Sequence, residues 1–453
     1  MPWLESQVHG LVWVPTTFGL EPRWSFEPDI EAIKQTLQLL RPSSTVEVNF
    51  LGQGAFNKLY DVKLDDEMLI MRISLPVDPR YKTMSEVATM DWVHRTTDVP
   101  VPSVVSYQSS RNNVIGFEWI LMSKMPGKPL AETWRSLSFA AKSRLVMEFA
   151  AYSSSLFRNQ LRGIGNIYER SPLVENSAST EESAPTREQA EVPVFTSQDT
   201  ECSARAVPEV SRIVSTQFFW GSHIYQDIYR GPFSSSKDWI TARLTLSEYD
   251  CHSILAKYPA VDDLDSDDEV EVEDSTRTLR IIGRLRSLLS LVFPSNNPDP
   301  EPSIIFHDDL SRHNILVSKG GELAGVLDWE CVSALPLWRA CYYPSFLEGV
   351  PRHLEPNIGR YHREGNGEPS DLYWDHLWEY ETTILRDMFI YEMKRLEPGW
   401  VEVFNTSQLQ RDFDIAVQNC DNELVARHIN EWIEDITTGK VNLRSLRDRI
   451  DEA

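Results

Sequence analysis

Four polar side chains within residues 304–330 have types and spacing that could do chemistry: His307, Asp309 and Asn314, in the order H-x-D-x-x-x-x-N, and Asp328, which closes the next apolar run. A carboxylate leaving a strand end can accept a hydroxyl proton. An amide five residues later, across the loop, can turn its carbonyl oxygen to a metal ion. The turn at Gly320 and Gly321 then returns a second carboxylate, Asp328, toward the same place. Mg²⁺ takes a few carboxylate or amide oxygens together with phosphate oxygens, so Asn314, Asp328 and a nucleotide would complete its coordination. Two hairpin strands with polar ends would read similarly, but the strand-loop-strand-turn-strand context is the one this chemistry needs.

The spacing is that of a kinase catalytic loop. The residues around it are more specific. His-Asp-Asp-Leu-Ser-Arg-His-Asn-Ile-Leu, followed by Leu-Asp-Trp-Glu, resembles the aminoglycoside phosphotransferase family, whose members often write His-Gly-Asp-Leu-x-x-x-Asn-Ile-Leu and then Ile-Asp-Trp-Glu. The chain is most similar to the fungal branch, with interruptions, from about residue 50 to about residue 347, and departs in carrying Asp308 where glycine is frequent. The resemblance implies an α+β, protein-kinase-like, two-lobed fold, with a small antiparallel-sheet N-lobe and a larger, mainly helical C-lobe. It implies a phosphotransferase that uses ATP or GTP with Mg²⁺ and acts on the hydroxyl of a small molecule. Asp309 would then be the acceptor-side base, Asn314 and Asp328 the metal ligands, and Asp308 a structural neighbour.

The elements that must position these residues can be read in order. Residues 1–43 carry scattered aromatics and then helical spacing at Ile30, Ile33, Leu37 and Leu40, an arm and helix packed on the neighbouring lobe. Alternating strands over 46–51, 58–64 and 68–73 surround a turn containing Gly52 and Gly54, whose backbone N–H groups could approach phosphates closely. An ordinary hairpin would carry the same two glycines. Where kinases place a lysine that pairs with phosphates and a helix glutamate, this chain has Arg72 on the third strand, and the helix over 83–94 offers Glu86 on its first turn as its expected partner. Arginine keeps the charge but presents a flat fork in place of a compact ammonium. Strands over 104–107 and 117–122 lead to a turn through Ser123, Met125 and Gly127 that resembles the family hinge, where backbone groups would meet a nucleotide base. These readings divide the chain into an arm and helix (1–43), a nucleotide-covering lobe (44–127) and a catalytic lobe (128–453).

Within the third region, residues 171–205 hold seven acids and two arginines among Ser, Thr and Pro, and residues 261–274 hold nine acids and no base. Both are expected to be disordered surface insertions. A calcium loop would need an Asp-x-Asp-x-Asp-Gly pattern that the second lacks. The net charge of −24 argues against nucleic acid as a partner. Five cysteines without C-x-x-C spacing suggest neither a zinc site nor a disulfide framework. With no apolar run long enough for a membrane span and no leader pattern, a cytoplasmic protein is expected. Trp374, Trp378, Trp400 and Trp432 are candidates to line an acceptor pocket, although aromatic stripes also build cores. A non-catalytic nucleotide-binding pseudokinase or scaffold is the main alternative function, since Arg72 and the two-glycine turn are both departures. A protein kinase is disfavoured because no Ala-Pro-Glu activation segment comes after Glu330.

Overall fold

Alternation with period two builds the first sheet. In the computed structural model, which describes residues 9–16, 19–169, 195–196, 208–258, 266–294, 298–365, 367–440 and 443–452, the chain opens with a hairpin of β1 (Leu11–Thr16) and β2 (Gly19–Trp24). Helix α1 (Ile30–Leu40) comes next, its start fixed by Asp29, whose side chain accepts from the Glu31 amide. Then come β3 (Val46–Gln53), β4 (Asn57–Leu64), β5 (Glu67–Ser74), α2 (Tyr81–Thr96), β6 (Val104–Gln108) and β7 (Glu118–Ser123). The strands form one antiparallel sheet in the order β6-β7-β5-β4-β3, with Phe195–Thr196 pairing against β6 at its edge.

One face of this sheet is apolar. Val62, Leu69, Met71, Ile73, Trp119 and Leu121 bury themselves with Ile33 and Leu37 of α1. Because successive strand residues point to opposite faces, Arg72 and Ser74 of β5 leave on the other side. The strand thus separates a hydrophobic layer from a polar one.

By density of packing the chain divides into two units. The first comprises Met1–Gly127, Asn166–Tyr225 and Ala324–Val332, and the second Lys128–Gly165, Gln226–Leu323 and Ser333–Ala453. The second unit is mainly helical. Its helix Phe139–Arg158 is capped by Ser138 and buries Leu145, Phe149, Tyr152 and Leu156. A buried ion pair, Lys142 to Glu381 at 2.6 Å, ties it to the helix Asp371–Leu396. The strand Pro302–Phe306 lies between Ser333–Pro336 and Leu161–Arg162, and Ile315–Val317 pairs with Lys128–Pro129. No described helix is long and apolar enough to cross a membrane.

One expectation is corrected. Residues 261–265 lie outside the described residues, but from Ser266 the acidic run is the opening of a 27-residue helix, Ser266–Val292, and is not a disordered insertion. Asp267, Asp268 and Glu269 occupy the first turn, where carboxylates complement the free N–H groups and the helix dipole. Residues 171–205 lie outside the described residues, apart from the backbone of 195–196.

The α1 contact can be tested by contrast. Leu37 is fully buried and Leu39 is 73% exposed on the same helix. Leu37→Ala is expected to cost about 2–5 kcal/mol in urea unfolding, whereas Leu39→Ala should stay within about 0.5 kcal/mol of the parent. Equal losses at both positions would show that α1 does not cover the sheet.

Candidate functional site

Arg72 is the centre of a buried ion cluster in the first unit. Its Nη1 lies 3.1 Å from Glu86 Oε1, and its Nη2 donates to Asp328 Oδ1 at 2.7 Å and lies 3.1 Å from Glu330 Oε2. Glu86 reaches it from the first turns of α2, and both acids of the Asp-Trp-Glu turn reach it from the segment Ala324–Val332. The expected pairing of Arg72 with Glu86 is therefore present, and Asp328 joins it. Asp328 has a left-handed backbone, with φ of 63°, a conformation that Asp tolerates better than most residues. The turn around it is held by Trp329, fully buried, whose indole donates to the Val326 carbonyl at 2.9 Å, and by the Val326 amide donating to Pro100.

Two members of the cluster had no assigned role in the sequence, Lys82 and Glu330. The Lys82 ammonium, on a residue that is 1% exposed, lies 2.6 Å from Glu330 Oε2 and donates to Asn57 Oδ1 at 3.0 Å. Asn57 in turn donates to Glu330 Oε2 at 2.8 Å and accepts from Ser74. Burial opposes charge on Arg72, yet Glu86, Glu330 and Asp328 outweigh it and hold the guanidinium above its ordinary pKa. Burial likewise opposes ionisation of Glu330, but Lys82 and Arg72 bring its carboxyl down to about 2. For Glu86 burial prevails over Arg72 and Lys82, and its carboxyl is pushed up. The signals for these two were a lysine one helical turn before Glu86 and an acid two residues after Asp328.

Gly54 lies in the turn after β3, whereas Gly52, expected in that turn, lies within β3 opposite Leu59, at an irregularity in the register. A Cβ built at either Gly52 or Gly54 would meet nothing within 4 Å, and neither glycine has a left-handed φ. Neither steric crowding nor backbone strain within the chain calls for glycine at these two positions. Open space above bare backbone fits the close approach of a phosphate. Ser123 ends β7 and its hydroxyl accepts from the Ser103 amide at 2.9 Å. Met125 packs over Gly325, where an added Cβ would lie 3.1 Å from the Met125 methyl. A side chain at Gly325 would therefore press on the Met125 side chain, in the segment expected to meet a nucleotide base.

The loop expected to be catalytic belongs to the second unit. It is pinned by Leu310, whose carbonyl accepts from Phe346, and by Arg312, whose carbonyl accepts from Ala131. His307 is buried at the end of the strand Pro302–Phe306, and both Asp308 and Asp309 are exposed. The Asn314 amide donates to the Asp309 carbonyl at 2.9 Å and to Asp309 Oδ2 at 2.8 Å. A carboxylate can only accept, so this contact fixes the Asn314 amide orientation and leaves its Oδ1 for another partner. That oxygen is the donor a divalent cation needs. Asp308 is exposed and makes no hydrogen bond or ion pair among the described residues.

The four tryptophans separate into two classes. Trp400 and Trp432 are 1% and 0% exposed and belong to the core, which corrects their candidacy for an acceptor pocket. Trp374 and Trp378 are partly open, and each carries a guanidinium over its indole: Arg135 at 5.4 Å and Arg312, from the catalytic loop itself, at 4.9 Å.

The cluster predicts an asymmetry in stability. Arg72→Met strands the Glu86 carboxylate in the interior, and urea unfolding should show a loss of about 3–5 kcal/mol. Adding Glu86→Gln should recover part of it, because no buried charge is then left without its partner. A double variant less stable than the single would rule out the pairing.

The model of the phosphotransferase enzyme family, APH, matches residues 47–200 and 243–338, more than half of the chain. A subtelomeric hrmA-associated cluster protein of Aspergillus fumigatus is 24% identical over 348 residues, which are 67% of this chain and 62% of that protein, less than two thirds of its length. The clavilactone A biosynthesis cluster protein Y of Ampulloclitocybe clavipes is 26% identical over 358 residues, covering 76% of this chain and 74% of its own. Among solved structures, a thermostable aminoglycoside phosphotransferase APH(4)-Ia in ternary complex with ADP and hygromycin B matches 91% of this chain and 100% of its own, at 12% identity and a TM-score of 0.43. The chain belongs to the phosphotransferase enzyme family APH, and its antiparallel sheet and helical part make up the mixed α/β, protein-kinase-like fold.

Proposed function

We propose that this protein is an ATP- and Mg²⁺-dependent phosphotransferase that moves the γ-phosphoryl group to a hydroxyl of a small molecule. The observation that carries this reading is the bond from the Asn314 amide to Asp309 Oδ2, which engages one oxygen of the acid and leaves Oδ1 for a hydroxyl. Asp309 Oδ1 takes the acceptor proton as the acceptor oxygen bonds to phosphorus and the bond to the departing ADP breaks. Bound Mg²⁺-nucleotide supplies the phosphoryl group and neutralises its charge. Asn314 Oδ1 and Asp328 would each offer an oxygen ligand to the metal, Arg72 would hold phosphate oxygens, and the backbone at Gly52 and Gly54 would cover them. Ser123 and Met125 border the base.

The alternative is a nucleotide-binding protein without catalysis, which the bond between Arg72 and Asp328 favours to the extent that Asp328 is already engaged. The two readings part at Asp309. Hydroxyl compounds screened with labelled ATP should include an acceptor for the parent protein, and Asp309→Asn should lower turnover about 10²- to 10⁴-fold, the range for loss of a general base. Calorimetry should show Mg²⁺-nucleotide binding retained in that variant, and Asp308→Asn should change turnover far less. Greater damage from Asp308→Asn in a folded protein would move the base by one residue. ATP binding with no transfer to any acceptor or to water would leave the non-catalytic reading.

A further inference from the structure

The ion cluster contains two cations and three carboxylates, and a single oxygen organises it. Glu330 Oε2 lies 2.6 Å from Lys82 Nζ, 2.8 Å from Asn57 Nδ2 and 3.1 Å from Arg72 Nη2. The same Arg72 Nη2 donates at 2.7 Å to Asp328, the most open of the three acids, with 34% of its side chain exposed. Nη2 therefore stands between two carboxylates that compete for it. What decides the competition is how fully Glu330 is already neutralised.

We propose that Lys82 is a positioning residue for nucleotide binding: by neutralising Glu330, it keeps the Arg72 fork divided between Glu86 and the Asp328 edge, where phosphate oxygens are received. The inference rests on the phosphotransferase reading and extends it to a side chain that touches no ligand. Without Lys82, Arg72 is the cation left for Glu330 among the described residues. In a buried site that attraction draws Nη2 inward, away from Asp328 and from phosphate. The division of labour also gives a reason for arginine on β5. A fork holds Glu86 with one nitrogen and reaches Asp328 with the other, two separated donors where an ammonium offers a single nitrogen. The compact ammonium serves instead at position 82, where one nitrogen meets both Glu330 at 2.6 Å and Asn57 at 3.0 Å.

The test is a double-mutant cycle read by calorimetry of Mg²⁺-ADP and of a non-hydrolysable ATP analogue, with folding checked by circular dichroism. Lys82→Met should weaken nucleotide binding on the order of tenfold. Lys82→Met with Glu330→Gln should bring it back to within about threefold of the parent, because the competing charge is gone with its counter-ion. A merely structural role for Lys82 would lower the melting temperature while leaving the affinity of the folded protein unchanged, and that result overturns the proposal. So does a double variant as weak as the single one. Should Lys82→Met fail to fold, the charge-neutral double variant decides alone, by the same threefold limit. A parent protein that binds no Mg²⁺-nucleotide would overturn the functional reading and this inference together. A parent that binds, with Lys82→Met unimpaired, overturns only the inference.

Discussion

The structure of the first unit depends on placing five ionised side chains where water does not reach most of them. Taking a charge out of water costs several kcal/mol even after the protein relaxes, so each must find its counter-ion at short range. Arg72 meets Glu86, Asp328 and Glu330 within 3.1 Å, and Lys82 meets Glu330 at 2.6 Å. Three separate pieces of backbone must therefore arrive together: β5 with Arg72, the first turns of α2 with Lys82 and Glu86, and the Asp-Trp-Glu turn. Errors in any one would leave a buried charge alone. The cluster is thus a geometric specification as much as an interaction.

Local rules supply each arrival. The alternation of β5 puts Leu69, Met71 and Ile73 on the α1 layer, so Arg72 has to leave on the opposite face. Four residues on a helix make about one turn, so Lys82 and Glu86 share a face of α2. The left-handed backbone at Asp328 and the anchored Trp329 indole set the third piece. Asn57 completes the set, because the residue that donates to Glu330 also begins β4 immediately after the glycine turn. The glycine turn proposed to cover phosphates and the ion cluster proposed to hold them are consequently joined through one amide.

How much of this was legible depended on sequence separation. The loop carrying Asp309 and Asn314 was located by its local spacing after a strand, whereas the bond between the two side chains was not foreseen. The strands were legible too, because their alternation is local, and the boundaries of β3 to β7 fall within two residues of those expected. The pairing of Arg72 with Glu86 was legible only through the family resemblance. Lys82 with Glu330 was not, because nothing local links a lysine on α2 to a glutamate of the distant Asp-Trp-Glu turn. Composition misled in the opposite sense at Ser266–Val292, where acids that suggest disorder instead occupy the end of a helix that favours them, while Ile281, Ile282, Leu285 and Leu289 further along bury the rest. Indoles carry no label either. Trp400 and Trp378 look alike in a sequence, and only burial separates core from surface.

A cluster of this kind is a poor way to gain stability. Well-packed apolar side chains of similar volume often stabilise an interior as well as a buried ion network or better, and β5 already buries an apolar row on its other face. The arrangement makes physical sense if its charges are directed outward. With all groups ionised, two cations and three carboxylates leave one negative charge in excess. The interior members are balanced by Lys82 and by the Glu86 side of Arg72, so the excess resides at Asp328, the member most open to solvent. Beside it lies Nη2 of Arg72, 2.7 Å away. An anionic oxygen and a guanidinium N–H, side by side at the open edge of a buried charge network, are complementary to a cation and an anion arriving together. A metal ion carrying a polyphosphate is such a pair.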